Sequence, residues 1–210
     1  MDSELIDCLC DILPDDVIHN SLQNVMTVTH EHDNGASNVQ MGTILTPTQV
    51  LKEPKISFPT EPNTFYSLLM TDPDAVSREK PLFREFLHWG VVNISDVKDG
   101  NILAGEKASV VGTYVPAGAP HNSGLHRYIY LLYKQIGLLS AEQIETFKAP
   151  FEARGGQKAH ELATNLGMTL MAANAYKAEW DASVDAIHES LAFMPPEEYQ
   201  SPLQKEKAKK

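Results

Sequence analysis

Cysteine is almost absent from this 210-residue chain: Cys8 and Cys10 are the only two, and no companion pair stands elsewhere. Two residues apart they are poorly placed to bridge each other, so neither a disulfide framework nor a Cys-based zinc site is expected. A reducing compartment, the cytoplasm, suits such a chain. Long apolar runs are also missing, and none approaches the roughly 20 residues of a membrane span. The opening MDSELIDCLCDILPDD is acidic and lacks the basic segment of a signal peptide. No repeat is visible, and no Gly-x-Ser-x-Gly elbow of the serine-hydrolase type occurs. Positive charge is scarce, with 17 Lys and Arg against 28 Asp and Glu and a net charge of -11. Such a body repels nucleic acid and anionic bilayers, so any phosphate it binds must be caught by a local constellation.

What is present suits a β-rich globule. Hydrophobic residues make up 42% of the chain, enough for a sizeable core, and no stretch rich in Gly, Ser and Pro cuts it. A single domain over 21–195 is expected, preceded by a helical appendage over 1–20 and followed by a flexible tail over 196–210, where Lys205, Lys207, Lys209 and Lys210 cluster. Leu5, Leu9, Ile12 and Leu13 have helical spacing before Pro14. Strands are expected near 25–29, 39–45, 55–58, 109–115 and 126–135, with turns at Asp33, Asn34 and Gly35 and at Pro47 and Pro54. His30 and His32 share one face of an extended chain but lack a third ligand, so a solvated strand end is expected there, and no metal or cofactor. Ser140 with Gln143 forms a capping-box signature for a short helix to Phe147. Residues 158–166 form a second helical stretch closed by Gly167. Residues 168–180 return to strand character, and Asp181 caps a last helix over 182–192 with Val184, Ile187 and Leu191 as its inner stripe.

The densest signal runs from Phe65 to Ile94. Alternation puts Tyr66, Leu68, Met70 and Asp72 on one face of a strand that Pro73 ends. The return run from Leu87 is β-branched and aromatic, and alternation puts His88, Gly90 and Val92 on one face. An acid and a histidine therefore meet near one rim. With residues 112–135, this stretch resembles the phosphatidylethanolamine-binding protein family, which includes kinase inhibitors of the Raf kinase inhibitor type and flowering regulators. One family signature is matched by Asp72, Pro73, Asp74, Ala75, Val76, Ser77 and Arg78 followed by His88. The other is matched by Gly118, Ala119 and Pro120 followed by Gly124, Leu125, His126, Arg127 and Tyr128. The resemblance covers about 45–191.

The resemblance implies a large antiparallel Greek-key sheet packed with a smaller sheet, few peripheral helices including a C-terminal one, and a small anion pocket at one end. Its implied lining is Asp72, His88, Gly118, Ala119, Pro120, His126 and Tyr128. Backbone N–H groups at Gly118 and Ala119, the two imidazoles and the Tyr128 hydroxyl are donors suited to phosphate oxygens. Asp72 beside a phosphate calls for an intervening cation, either an ammonium or a protonated histidine. Three departures stand out. Val76 replaces a proline that usually follows a cis bond, so Ala75–Val76 is either cis or the turn rearranges. Ala119 replaces the first proline of Gly-Pro-Pro and adds an N–H. His188 stands where many animal members carry a tyrosine near the pocket mouth.

The resulting expectation is a non-enzymatic binding protein for phosphate-bearing ligands, a phospholipid head group or a phosphorylated side chain, acting as inhibitor or scaffold of a protein kinase. A serine-protease inhibitor working through residues 1–20 is the alternative, since some family members inhibit proteases. A hydrolase using Ser77 or Ser123 with a histidine and Asp72 is a third reading, weakened by the missing elbow.

Overall fold

Two of the most regularly alternating stretches, β5 (Tyr66–Asp72) and β8 (His126–Lys134), lie side by side at the centre of the larger sheet, paired antiparallel from Tyr66 opposite Lys134 to Thr71 opposite Ile129. The computed structural model describes residues 11–14, 17–18, 22, 24–95, 101–104 and 108–209. Around the central pair stand β6 (Phe86–Ile94), β7 (Ser109–Gly112), β9 (Thr169–Ala178) and β3 (Thr43–Ile44), in the order β3-β9-β8-β5-β6-β7. Within it, β8-β5-β6-β7 is a Greek key: three consecutive antiparallel strands, with the fourth returning beside the first. The pairing is antiparallel except at the edge, where β3 runs parallel to β9. A smaller sheet of β2 (Gly35–Asn38), β1 (Thr27–His32) and β4 (Lys55–Ser57) covers one face.

β5 and β8 are buried on both faces because each face has its own cover. Tyr66, Leu68, Met70, Tyr128, Tyr130 and Leu132 pack with Val28, Val50 and Ile56 of the small-sheet layer. Leu69, Ile129, Leu131 and Tyr133 pack on the other side against Phe147, Phe151, Ala159 and Ala163 of a helical layer. That layer consists of α1 (Ala141–Lys148), α2 (Pro150–Ala153) and α3 (Ala159–Thr164). Ser140 caps α1 with Gln143 closing the box, as the sequence indicated, and Gly167 follows α3 at φ +69°. Phe151 sits over two glycines, Gly90 and Gly112, which face each other across β6 and β7; a Cβ on either would collide with its ring. Glycine is required there by close approach.

Several expectations change. Alternation put His88 on the face of Gly90, but the register slips between Met70 and Thr71, which pair with Trp89 and Leu87 and leave His88 as the extra residue. This bulge turns His88 to the side of Trp89, against Tyr128. Of the strand expected at 39–45 only Thr43–Ile44 is strand, the two-residue β3; residues 39–42 are loop and turn, and β2 ends before them at Asn38. His30 is not a solvated strand end: it is fully buried and its Nε2 bonds the Tyr130 hydroxyl at 3.0 Å. No cluster of His, Cys, Asp and Glu suited to a metal occurs among the described residues. The last helix is shorter than 182–192, running as α4 (Val184–Ser190), with Asp181 accepting from Ser183 and from Thr48. The basic tail is not a free end: α5 (Pro202–Lys207) is capped by Ser201 and Gln204, and Ser201 donates to Asp185 at 2.7 Å. Of the helix expected at 3–13, Leu5 and Leu9 lie outside the described residues, as do Cys8 and Cys10; Ile12 and Leu13 are buried. The Ala75–Val76 bond is cis.

Candidate functional site

Where β5 ends and β6 and β8 begin, a cavity of about 290 Å³ opens at the end of the sheet. Asp72, His88 and His126 reach it from the strands, Gly118 and Pro120 from the β7–β8 connection, and Ile187 and His188 from α4. Much of the remaining wall is apolar, including Val76, Phe83, Phe86, Val115 and Phe193. Ala119 and Tyr128 do not line the cavity: both are fully buried behind it. The Gly118 N–H, a donor expected to face a ligand, is spent on the Tyr128 hydroxyl at 3.1 Å.

The turn after β5 is held by its own acids. Asp72 accepts the Asp74 N–H at 2.7 Å, and Asp74 takes the Arg127 guanidinium in two-point fashion at 2.6 and 2.8 Å. Arg127 reaches on to the Asp11 carbonyl, and Asp11 pairs with Arg78. From the C-terminal side, Tyr199 meets Ser77 at 3.0 Å and Glu198 accepts from Lys80.

His126 is committed at both nitrogens. Its Nδ1 faces Asp72 at 2.8 Å, and its Nε2 lies 3.0 Å from Ser123 Oγ, which donates at 2.7 Å to the Pro120 carbonyl. With the serine hydrogen used on Pro120, both ring nitrogens donate, which is the imidazolium form. Burial opposes a charge on His126, but the charge and hydrogen bond of Asp72, with Asp74 behind, outweigh it and hold its pKa above the ordinary value. Burial likewise opposes ionisation of Asp72, and His126, His88 and the Asp74 N–H overcome it, keeping that carboxyl below its usual range.

His88 is different. Its Nδ1 lies 2.8 Å from the Val115 carbonyl, which can only accept, so Nδ1 carries the hydrogen. Burial pushes its pKa down to about 4 despite Asp72 and the Val115 bond. Nε2 has no partner among the described residues. His188 has both nitrogens occupied, Nε2 donating to the Gly118 carbonyl at 2.8 Å and Nδ1 accepting from the Gln204 amide at 3.1 Å. Burial lowers its pKa also.

Sequence reasoning missed Arg154, which also lines the cavity. It donates to the carbonyls of Leu87, His88 and Thr113 and to Thr113 Oγ1, pinning β6 to the chain beyond β7. The signal available was the Arg-Gly-Gly turn after α2, where Arg154 adopts φ +58°. Gln204 was missed as well, although it belongs to the Ser201 capping signature.

A family model described as phosphatidylethanolamine-binding protein matches residues 21–177. The chain belongs to that family. Phosphatidylethanolamine-binding proteins of known structure repeat its fold. The CG7054 protein in solution is 33% identical, covers 86% of this chain and 97% of its own, and superposes with a TM-score of 0.61. A carboxypeptidase Y inhibitor, solved with its cognate proteinase, covers 84% of this chain and 95% of its own with a TM-score of 0.66. At 21% identity that likeness is one of fold. Putative odorant-binding protein A5 of Drosophila melanogaster is 28% identical over 155 residues, 73% of this chain and 71% of its own. Among the described residues no helix is long and apolar enough to cross a membrane.

Proposed function

We propose that this family member is a non-enzymatic binding protein whose cavity at the sheet end takes a phosphate-bearing ligand and which acts by inhibiting or scaffolding a kinase. The observation that carries the reading is the convergence of Asp72, His88, Gly118, Pro120, His126 and His188 on one half-apolar cavity, with the His88 Nε2 left for a ligand. A phosphate there lies beside the His126 imidazolium and the Arg154 guanidinium, which offset Asp72. Titration with a phosphate ester, followed by amide NMR, tests it. His88→Ala is expected to weaken binding about tenfold or more while leaving the fold intact, in line with hydrogen bonds to charged groups. Unchanged affinity would remove the pocket from the function. Pull-down of a kinase by wild type but not by His88→Ala tests the signalling role.

Ser123, His126 and Asp72 also form a contact chain resembling a hydrolytic triad. Two features speak against turnover: the serine hydrogen goes to Pro120 by the shorter bond, and a doubly protonated His126 has no lone pair for a base. Hydrolysis of an activated ester that disappears in Ser123→Ala would reverse this. The protease-inhibitor alternative draws on the fold shared with the carboxypeptidase Y inhibitor. Inhibition lost on deleting residues 1–20, with phosphate binding retained, would favour it.

A further inference from the structure

Beside the cavity at the sheet end lies a second opening, a groove of about 470 Å³. Val115, Arg154, Ile187 and Leu191 border both, while neither Asp72 nor any histidine borders the groove. Leu51, Pro116 and Ala186 complete an apolar lining, and Leu51 and Leu191 are 44% and 36% exposed. The other hydroxyls along the groove are spent within the protein: Ser183 donates to Asp181, Ser190 to the Ile187 carbonyl and Tyr114 to the Val50 carbonyl. One polar pair is left, Arg154 and Thr113, joined by an exposed hydrogen bond of 3.0 Å. Thr113 Oγ1 accepts in that bond, so its own hydrogen remains to be donated. No carboxylate borders the groove, although acidic residues outnumber basic ones 28 to 17 in the chain. Apolar surface and a single cation thus stand together, apart from the acid and histidines of the cavity.

We propose that this groove is a second ligand site, which binds a medium-chain alkyl carboxylate with its head on Arg154 and Thr113 and its chain along the apolar lining. The inference is independent of the phosphate reading. One guanidinium and one hydroxyl suit the two oxygens of a carboxylate, and leave the further oxygens of a phosphate without partners. A cationic amphiphile meets Arg154 with like charge, and a neutral alcohol forgoes the charge-assisted bond. Sugars and other ligands rich in hydroxyls find too few free donors and acceptors, because the serines and Tyr114 are already engaged. The opening is of the size that small-molecule sites have, and its apolar lining rewards each methylene laid on it.

Titration of the full chain with decanoate, kept below its micelle concentration and followed by amide NMR, tests the site. Shifts are expected to centre on Thr113, Ala186 and Ser190, with Asp72 and His126 in place. Decanol and decylamine should bind about tenfold more weakly or worse, the loss of one hydrogen bond to a charged group. From hexanoate to decanoate the affinity should rise about twofold per methylene, against roughly fourfold for full burial, because the groove is open. Ala186→Trp, at an exposed position of α4, fills the groove and should abolish decanoate binding; Ser190→Trp, one turn on, repeats the block. Shifts centred on Asp72 and His126 would put the carboxylate in the cavity and overturn the proposal. Equal binding of decanol or decylamine, a flat chain-length series, undiminished binding by both tryptophan variants, or no binding of decanoate at all does the same. A dimer in sedimentation that Ala186→Trp dissolves would assign the groove to a second copy instead. Each of these failures leaves the phosphate reading where it stands.

Discussion

Burial holds both His88 and His30 at about 4, so each enters the fold neutral and is protonated on unfolding below its ordinary value of 6.5. The unfolded chain then binds more protons than the native one. Stability therefore falls as pH drops from about 6.5 to about 4 and levels off below, by roughly 3 kcal/mol per group from a shift of this size. His88→Gln, which cannot titrate, should show a flatter loss over that window in urea unfolding at pH 7 and pH 4.5. The Asp72–His126 pair has the opposite logic on its basic side. His126 has a raised pKa, so its contribution is full below 6.5 and is lost as pH climbs through the raised value; that of Asp72 is lost only as pH falls through a value below 3.8. With Asp72→Asn the largest influence opposing burial of His126 is removed, leaving Asp74 and the Val76 backbone, and its ring titration by NMR should move to lower pH. Asp72 and His126 were legible in the sequence because each lies in a motif whose neighbours, Asp74 and Arg127, clamp it. His88 was legible in position but not in direction, since alternation cannot announce an extra residue in a strand. Arg154 is marked only by the Arg-Gly-Gly turn, and its role depends on the backbone conformation there, which brings it to carbonyls distant in sequence.

At the scale of elements, the sheet was readable wherever alternation was long, as in β5 and β8, and blurred where strands are short, as in β2 and β3. Short strands are defined by their partners, not by their own residues. The C-terminal segment teaches a related point about composition. Its lysines suggested a solvated tail, yet Ser201, Pro202 and Gln204 spell the same N-terminal helix signature that was recognised at Ser140 and Gln143. Local chemistry outweighed charge. The glycine pair under Phe151 gives a sharper test of packing. Gly112→Ala places a methyl inside the ring's volume and should destabilise the domain by roughly 1–3 kcal/mol. Phe151→Leu in the same chain should recover part of that loss, and a double-mutant cycle in urea measures the coupling.

For the molecule as a whole, three layers set the sheet end as the place where strands, helical layer and terminal segments all meet. Deleting residues 195–209 removes Gln204 from His188, Tyr199 from Ser77 and Glu198 from Lys80. Hydrogen exchange should then quicken in α4 and in the turn after Asp72 while β5 and β8 keep their protection. The same turn is gripped from the other terminus through Asp11, by Arg78 and Arg127. Both ends of the described chain thus hold one piece of backbone, and the consequence is mechanical. Tension applied between the two ends loads the Asp72 turn through a few polar side-chain contacts, long before it reaches the ladder joining β5 to β8. A pulling experiment should record a small early rupture, with the cavity losing its ligand while the sheet still bears the load.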